Sequence, residues 1–164
     1  MTDMESGTRF RPVLPDPIDN KQAVSVVMLS GKIYYELIKE RQARGLNDKV
    51  AFIRIEELAP FPFDALEEAL SLYPSAVHFA WLQEEPRNQG AWNHVRSRIE
   101  KVLSARKPLA SSKGIELRYL GREESALPAP GIGKLHQKQQ RSVLESAFRI
   151  WKEIRRYSFI KRGW

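Results

Sequence analysis

Trp81-Leu82-Gln83-Glu84-Glu85-Pro86-Arg87-Asn88-Gln89-Gly90-Ala91-Trp92 is the stretch on which the fold turns. It starts where the apolar run Val77, Phe79, Ala80, Trp81, Leu82 ends, and it stops where Trp92, Val95, Ile99, Val102 and Leu103 begin a helical spacing. Strand, polar loop, helix is the order this pattern predicts. In an open α/β sheet, the loops leaving the carboxyl ends of parallel strands are where ligands and partner surfaces are met. Two adjacent carboxylates, an amide pair and two tryptophans are an unusual content for a mere connection, so the loop is a candidate interface or site. A plainer reading stands beside it: Asn88 and Gln89 satisfy free amides ahead of a helix at Trp92, and Gly90 permits a tight turn.

Working outward, apolar and helical segments alternate along the chain. Val24 to Leu29 is a short, nearly continuous apolar run, the mark of a strand covered on both faces. Ser30-Gly31-Lys32 turns it into a helix with Ile33, Tyr34, Leu37 and Ile38 at helical spacing, ending near Gly45. Val50 to Ile55 reads as a second strand. Glu56 to Phe63 reads as a proline-stiffened loop, and Asp64 as the cap of a helix carrying Leu66, Ala69, Leu70 and Leu72. Ala76 to Leu82 is the third strand, Trp92 to about Ala105 the third helix, and residues 106 to 114 a polar linker. Ile115 to Leu120 is the fourth strand, Gly121 to Gly133 a loop, and Leu135 to about Trp151 the last helix.

This alternation predicts a three-layer α/β/α sandwich around a mostly parallel sheet. Residues 1–22 contain Pro12, Pro15 and Pro17 and read as an extended arm across the domain, a candidate for the edge strand that the four apolar runs leave missing. The body is then 23–148 and the basic, aromatic tail 149–164.

A length of 164 residues and 42% hydrophobic content suit one domain with a real core. No segment approaches the roughly 20 apolar residues of a membrane span. With no cysteine, disulfides, thiolate metal sites and a cysteine nucleophile are excluded. The opening Met1-Thr2-Asp3-Met4-Glu5 has neither a secretory nor a transit pattern, so these residues name no organelle. The net charge of +7 is concentrated: Arg149 to Trp164 carries six basic residues against Glu153, which leaves +2 for the other 148 residues. A near-neutral body argues against general nucleic-acid binding.

Familiar catalytic signatures are mostly lacking. Gly131-Ile132-Gly133-Lys134 lacks the full phosphate-loop pattern and reads as a flexible loop. Ser30-Gly31-Lys32 either aims helix-start amides and a lysine at an anion or is a solvated lysine after a tight turn. His78, His94 and His136 lie on separate elements without metal-ligand spacing. Glu84 and Glu85 point to opposite sides of an extended chain and do not make an acid–base pair.

Four motifs, in order and in register, resemble one family. They are Ser30-Gly31-Lys32-Ile33-Tyr34-Tyr35; Arg54-Ile55-Glu56-Glu57-Leu58 with Pro60-Phe61-Pro62; Gln83-Glu84-Glu85-Pro86 with Asn88-Gln89-Gly90-Ala91-Trp92; and Gly121-Arg122 followed by Ala126 and Pro128. Together they resemble the C-terminal domain of the thiamine-dependent dehydrogenase subunit of 2-oxoglutarate dehydrogenase complexes, from about Phe10 to Phe148. Gly131-Ile132-Gly133 with His136-Gln137 looks more like the 2-oxoadipate branch.

The resemblance implies a transketolase C-terminal-like fold with one antiparallel edge strand. It implies that thiamine diphosphate and magnesium are held by preceding domains, and that this chain alone binds no cofactor and supplies no catalytic residue, since it has no Gly-Asp-Gly followed by Asn. The partners it implies are those thiamine-binding domains, a second subunit in a homodimer and a lipoyl-bearing acyltransferase subunit, with no nucleic acid. Gln83, Glu84, Glu85, Asn88, Gln89 and Trp92 are the residues expected at the domain interface. Some bacterial relatives bind acetyl-coenzyme A on this domain, and Lys32, Arg9 and Arg11 are the basic groups expected to serve such an anion. Location would be mitochondrial by resemblance, or cytoplasmic in a bacterium. The tail departs from the family: Trp151, Ile154, Tyr157, Phe159, Ile160 and Trp164 among basic groups suit either an amphipathic surface segment or a helix extension packed on the body.

Overall fold

The arm and the four apolar runs build one five-stranded sheet in the computed structural model, which describes residues 9–106, 115–127, 131 and 133–160, with side chains as far as Arg149. In chain order the elements are β1 (Val13–Leu14), β2 (Ser25–Leu29), α1 (Ile33–Ala43), β3 (Val50–Ile55), α2 (Phe63–Ser71), β4 (His78–Pro86), α3 (Trp92–Ala105), β5 (Leu117–Arg122) and α4 (Gly133–Ile160). The sheet order is β1-β3-β2-β4-β5, parallel except for β1. The missing edge strand is supplied by the arm, where Val13 pairs with Ile55 and Leu14 with Arg54.

Alternation along the strands divides the core in two. Val26, Met28, Ile53, Phe79 and Trp81 face α2 and α3, where they meet Leu66, Leu70, Trp92, Val95 and Ile99. Val27, Leu29, Phe52 and Leu82 face α1 and α4, where they meet Ile33, Leu37, Val143 and Phe148. All five residues of β2 are buried because helices cover both faces. The sandwich is therefore three layers deep, as the alternation predicts.

Boundaries differ from the sequence reading for local reasons. β4 continues to Pro86, because Pro86 still pairs with Arg122 of β5 past an irregularity after Leu82, so Gln83, Glu84 and Glu85 are strand residues. Likewise β5 runs on to Arg122. Asp64 is not the cap of α2: the helix starts at Phe63 with Pro62 before it and no side-chain cap bond. Asp64 sits in the first turn, where its charge favours the helix dipole instead. At the end of α1, Gly45 has φ +64°, its N–H donates to the Gln42 carbonyl and the Leu46 N–H to that of Arg41. That is the Schellman arrangement, and it fixes the helix end. The backbone of α4 extends past Trp151 to Ile160; the 107–114 part of the expected linker and the tail's side chains beyond Arg149 lie outside the described residues.

Chain direction defines the functional end. From β2 the chain crosses to β3 on one side, whereas from β4 it crosses to β5 on the other. The carboxyl ends of β2 and β4 therefore flank a topological switch point, the place where open α/β sheets leave a crevice.

Candidate functional site

The crevice is present: a cleft of about 570 Å³ is walled by Ser30, Gly31 and Lys32 after β2, and by Glu84, Glu85, Gly90 and Ala91 around the end of β4. Gly31 takes φ +80° to make its turn, and Lys32 stands exposed immediately before α1. Lys32 thus lines the cleft, while the exposed Arg9 and Arg11 on the arm are not among its walls.

The far wall is organised by one buried amide. The side-chain oxygen of Gln83 accepts from the Trp81 indole (3.0 Å) and from the Trp92 backbone N–H (2.9 Å). Its side-chain nitrogen donates to the carbonyls of Gln89 (2.7 Å) and Pro86 (3.0 Å). A glutamine at a strand end is therefore the N-terminal cap of α3, since Ala91 has no side chain able to do it. Asn88 and Gln89, read as possible caps, turn elsewhere. Asn88 donates to the Ser125 carbonyl and accepts from the Ser125 N–H, both at 3.0 Å, and Gln89 donates to the same carbonyl at 2.9 Å. They tie the loop after β4 to the segment after β5.

Gly90 sits at φ +65°, and a Cβ there would lie 3.0 Å from the Gln83 amide nitrogen. Close approach, as well as the turn, requires glycine at this position. Tyr119 closes the underside. Its hydroxyl lies 3.0 Å from the Arg122 carbonyl and 3.2 Å from that of Glu85, its ring packs 5.2 Å from that of Trp92, and burial pushes its pKa up to about 12.

Of the six residues expected at an interface, Gln83 and Trp92 are therefore buried in the chain's own structure, each 4% exposed. Glu85 and Asn88 are exposed, and Glu84 and Gln89 half-buried. Gln83 and Trp92 shape the surface while the other four present it.

Sequence reasoning missed Arg122. Only 8% exposed at the end of β5, it reaches Gln140 (3.2 Å) and the Nδ1 of His136 (3.4 Å) on α4, and its Nε has no partner among the described residues. Gln140 in turn donates to Glu84 at 3.0 Å, connecting the arginine to the cleft wall. A Gly-Arg pair after an apolar run was the only sequence signal. His94 bonds the Leu58 carbonyl at 2.8 Å and serves the loop after β3. No group of three or more His, Asp or Glu side chains converges to hold a metal among the described residues.

The family described as 2-oxoglutarate dehydrogenase C-terminal matches residues 1–148. This chain belongs to that family. Within the 2-oxoglutarate dehydrogenase C-terminal family it is 43% identical over 143 residues to the 2-oxoglutarate dehydrogenase E1 component of Azotobacter vinelandii, covering 86% of this chain and 14% of that protein. It is 42% identical over 145 residues to the 2-oxoadipate dehydrogenase complex component E1 of Xenopus laevis, covering 87% and 15%. Against the Homo sapiens protein of the same name it is 38% identical over 150 residues, covering 90% and 15%. The chain thus spans about one seventh of the length of these curated relatives.

Proposed function

We propose that this domain packs, by the carboxyl end of its sheet, against the thiamine-binding domains of a 2-oxo acid dehydrogenase E1 subunit and helps to hold that subunit's dimer together, without supplying catalytic residues. The observation that carries this reading is where the exposed apolar side chains lie. Of eight such residues among the described ones, Phe10, Tyr35, Phe63, Leu127 and Leu135 sit on the arm, the helix starts and the loop after β5, all at that one end. Concentration of exposed apolar groups on one face marks a surface meant to be covered. Around them the Gln83-braced loop offers Glu84, Glu85 and Asn88 as a polar rim whose shape is set before any partner arrives.

In this reading thiamine diphosphate and its magnesium belong to the partner domains, as the family resemblance implies. Residues here orient and cover rather than react. Relatives from a bacterium and from animals are compatible with either a bacterial cytoplasm or a mitochondrion as the setting. The test is reassembly: a relative's E1 subunit, truncated before the matched segment, should co-elute with this chain and regain 2-oxo acid decarboxylation. Tyr35→Glu with Leu127→Glu should abolish both, and a failure of the unaltered chain to co-elute would sink the reading.

One observation favours a second role as an effector site. A buried guanidinium that reaches Gln140 and His136, with its Nε unpartnered among the described residues, keeps a donor for a further acceptor, which suits an anion. Lys32 lines the cleft whose wall residue Glu84 is linked to Arg122 through Gln140, and an acyl-coenzyme A phosphate is the ligand class to try. Titration calorimetry with acetyl-coenzyme A should give heat that Lys32→Ala diminishes; a flat thermogram would remove this role.

A further inference from the structure

The loop after β5 carries an apolar side chain that the chain's own core does not take in. Leu127 is 64% exposed, more than any other large hydrophobic among the described residues except Phe10 on the arm, and Ala126 beside it is exposed as well. A single exposed leucine is ordinary on a protein surface. The way this one is held is not. Its N–H donates to the Ser125 hydroxyl at 3.1 Å. Ser125 is in turn fixed at both of its backbone polar groups: its N–H donates to the Asn88 side-chain oxygen at 3.0 Å, and its carbonyl accepts from the Asn88 amide at 3.0 Å and from that of Gln89 at 2.9 Å. The Gln89 carbonyl is itself bonded by the buried Gln83 amide at 2.7 Å. Support therefore runs from Gln83 through Gln89 and Asn88 to Ser125 and Leu127.

The Ser125 bonds lie at exposed or half-buried groups, where water would serve nearly as well, so they add little to the stability of the fold. Their effect falls on the loop, which they hold in one conformation that it would otherwise share with many. A contact residue ordered before its partner arrives has already met part of the entropy cost of association. Only an apolar surface gains by covering a leucine. We propose that Leu127 is an anchor that enters an apolar socket on the thiamine-binding domains of the E1 subunit, and that Asn88 is the positioning residue that holds it at the angle of entry. This role rests on the packing of the sheet's mouth against those domains. In the relatives the matched domain is about one seventh of the E1 subunit, so the remainder of that subunit is the surface at hand to cover the leucine.

A double-mutant cycle on the binding of the full chain to a relative's E1 subunit, truncated before the matched segment, tests it. Leu127→Ala should weaken binding about tenfold, while Leu72→Ala, at an exposed leucine on the far end of α2, should change it by less than about twofold. Asn88→Ala should weaken the parent about fivefold and have no further effect in the Leu127→Ala background, because it acts through the leucine. In the free chain, NMR order parameters of Ser125 to Leu127 should fall in Asn88→Ala, which shows the clamp at work with no partner present. Parent-like binding by Leu127→Ala, an equal loss in Leu72→Ala, an additive loss from Asn88→Ala or unchanged order parameters would each overturn the proposal. So would self-association of the free chain that Leu127→Ala abolishes, since the socket would then belong to a second copy. An unaltered chain that fails to bind sinks the packing role and the anchor together, whereas binding that survives Leu127→Ala sinks the anchor alone.

Discussion

Asp16 and Arg41 meet as an ion pair with both side chains wholly buried, joining the segment after β1 to the last turn of α1. The carboxylate also accepts from the Phe52 N–H at 2.9 Å, and the guanidinium donates to the Val50 carbonyl at 2.9 Å, so the pair straps arm, helix and β3 together. Removing one member of a buried pair strands the other charge, at a cost of about 3–5 kcal/mol. Asp16→Ala should therefore lower stability by that amount in urea unfolding and speed amide exchange in β1. Arg41 Nε is already without a partner among the described residues, so the double replacement Asp16→Leu/Arg41→Met should recover most of the loss.

Gln83 is the second such hub, and it makes a sharper prediction. Gln83→Leu takes away the partner of the Trp81 indole, the Trp92 amide and the Gln89 carbonyl, while the Pro86 carbonyl keeps the Gln89 N–H. At about 1–3 kcal/mol per buried orphan, the total loss should be at least about 3 kcal/mol, with exchange rising first across residues 84–91. Gln83→Glu keeps the acceptor and loses the donors. A buried carboxyl here is favoured in its neutral form, so this variant should gain stability as pH falls, a trend the parent chain should lack. Chemical denaturation at several pH values separates the two.

The three central strands β2, β3 and β4 were legible in the sequence because each is an apolar run with both faces covered, a pattern that needs no knowledge of neighbours. β1 was not: two residues qualify as a strand only because Ile55 and Arg54 lie opposite them. The same reason hid the end of β4, where Gln83 and Glu84 look like loop residues until Arg122 pairs beside them. At the site, residue type located the important stretch but misjudged direction. A polar glutamine two residues from a tryptophan looks exposed, yet five hydrogen bonds to its own strand and the loop after it make its burial favourable. Arg122 and Asp16 act through partners 18 and 25 residues away, distances over which periodicity says nothing.

Two glycines with the same backbone sign should respond differently to alanine. Gly31 (φ +80°) has open space where a Cβ would go, so Gly31→Ala bears only the left-handed conformation's cost of about 1–2 kcal/mol. Gly90→Ala adds contacts at 3.0 Å with the Gln83 amide and Glu85 Cβ, both fixed in the loop. It should cost more than Gly31→Ala by urea midpoint and alone should alter the emission of Trp81 and Trp92. Equal losses would mean that the Gln83 brace yields easily.

Alkaline pH offers a test of the core beneath α2. Burial first, and then the Asp16 charge, push the Tyr73 hydroxyl from an ordinary value of 10.0 up to about 12. The folded state therefore holds this proton more tightly than the unfolded chain does. Its contribution to stability is complete below pH 10 and is lost as pH rises through about 12, because only the unfolded chain readily ionises within that window. Tyr119 shares the direction and the window through its own burial. Unfolding followed by tyrosinate absorbance should show stability falling across that range, and Tyr73→Phe should make the fall shallower. If the slope is unchanged in that variant, Tyr73 is not the group that couples proton release to unfolding, and Tyr119 is the one to replace next.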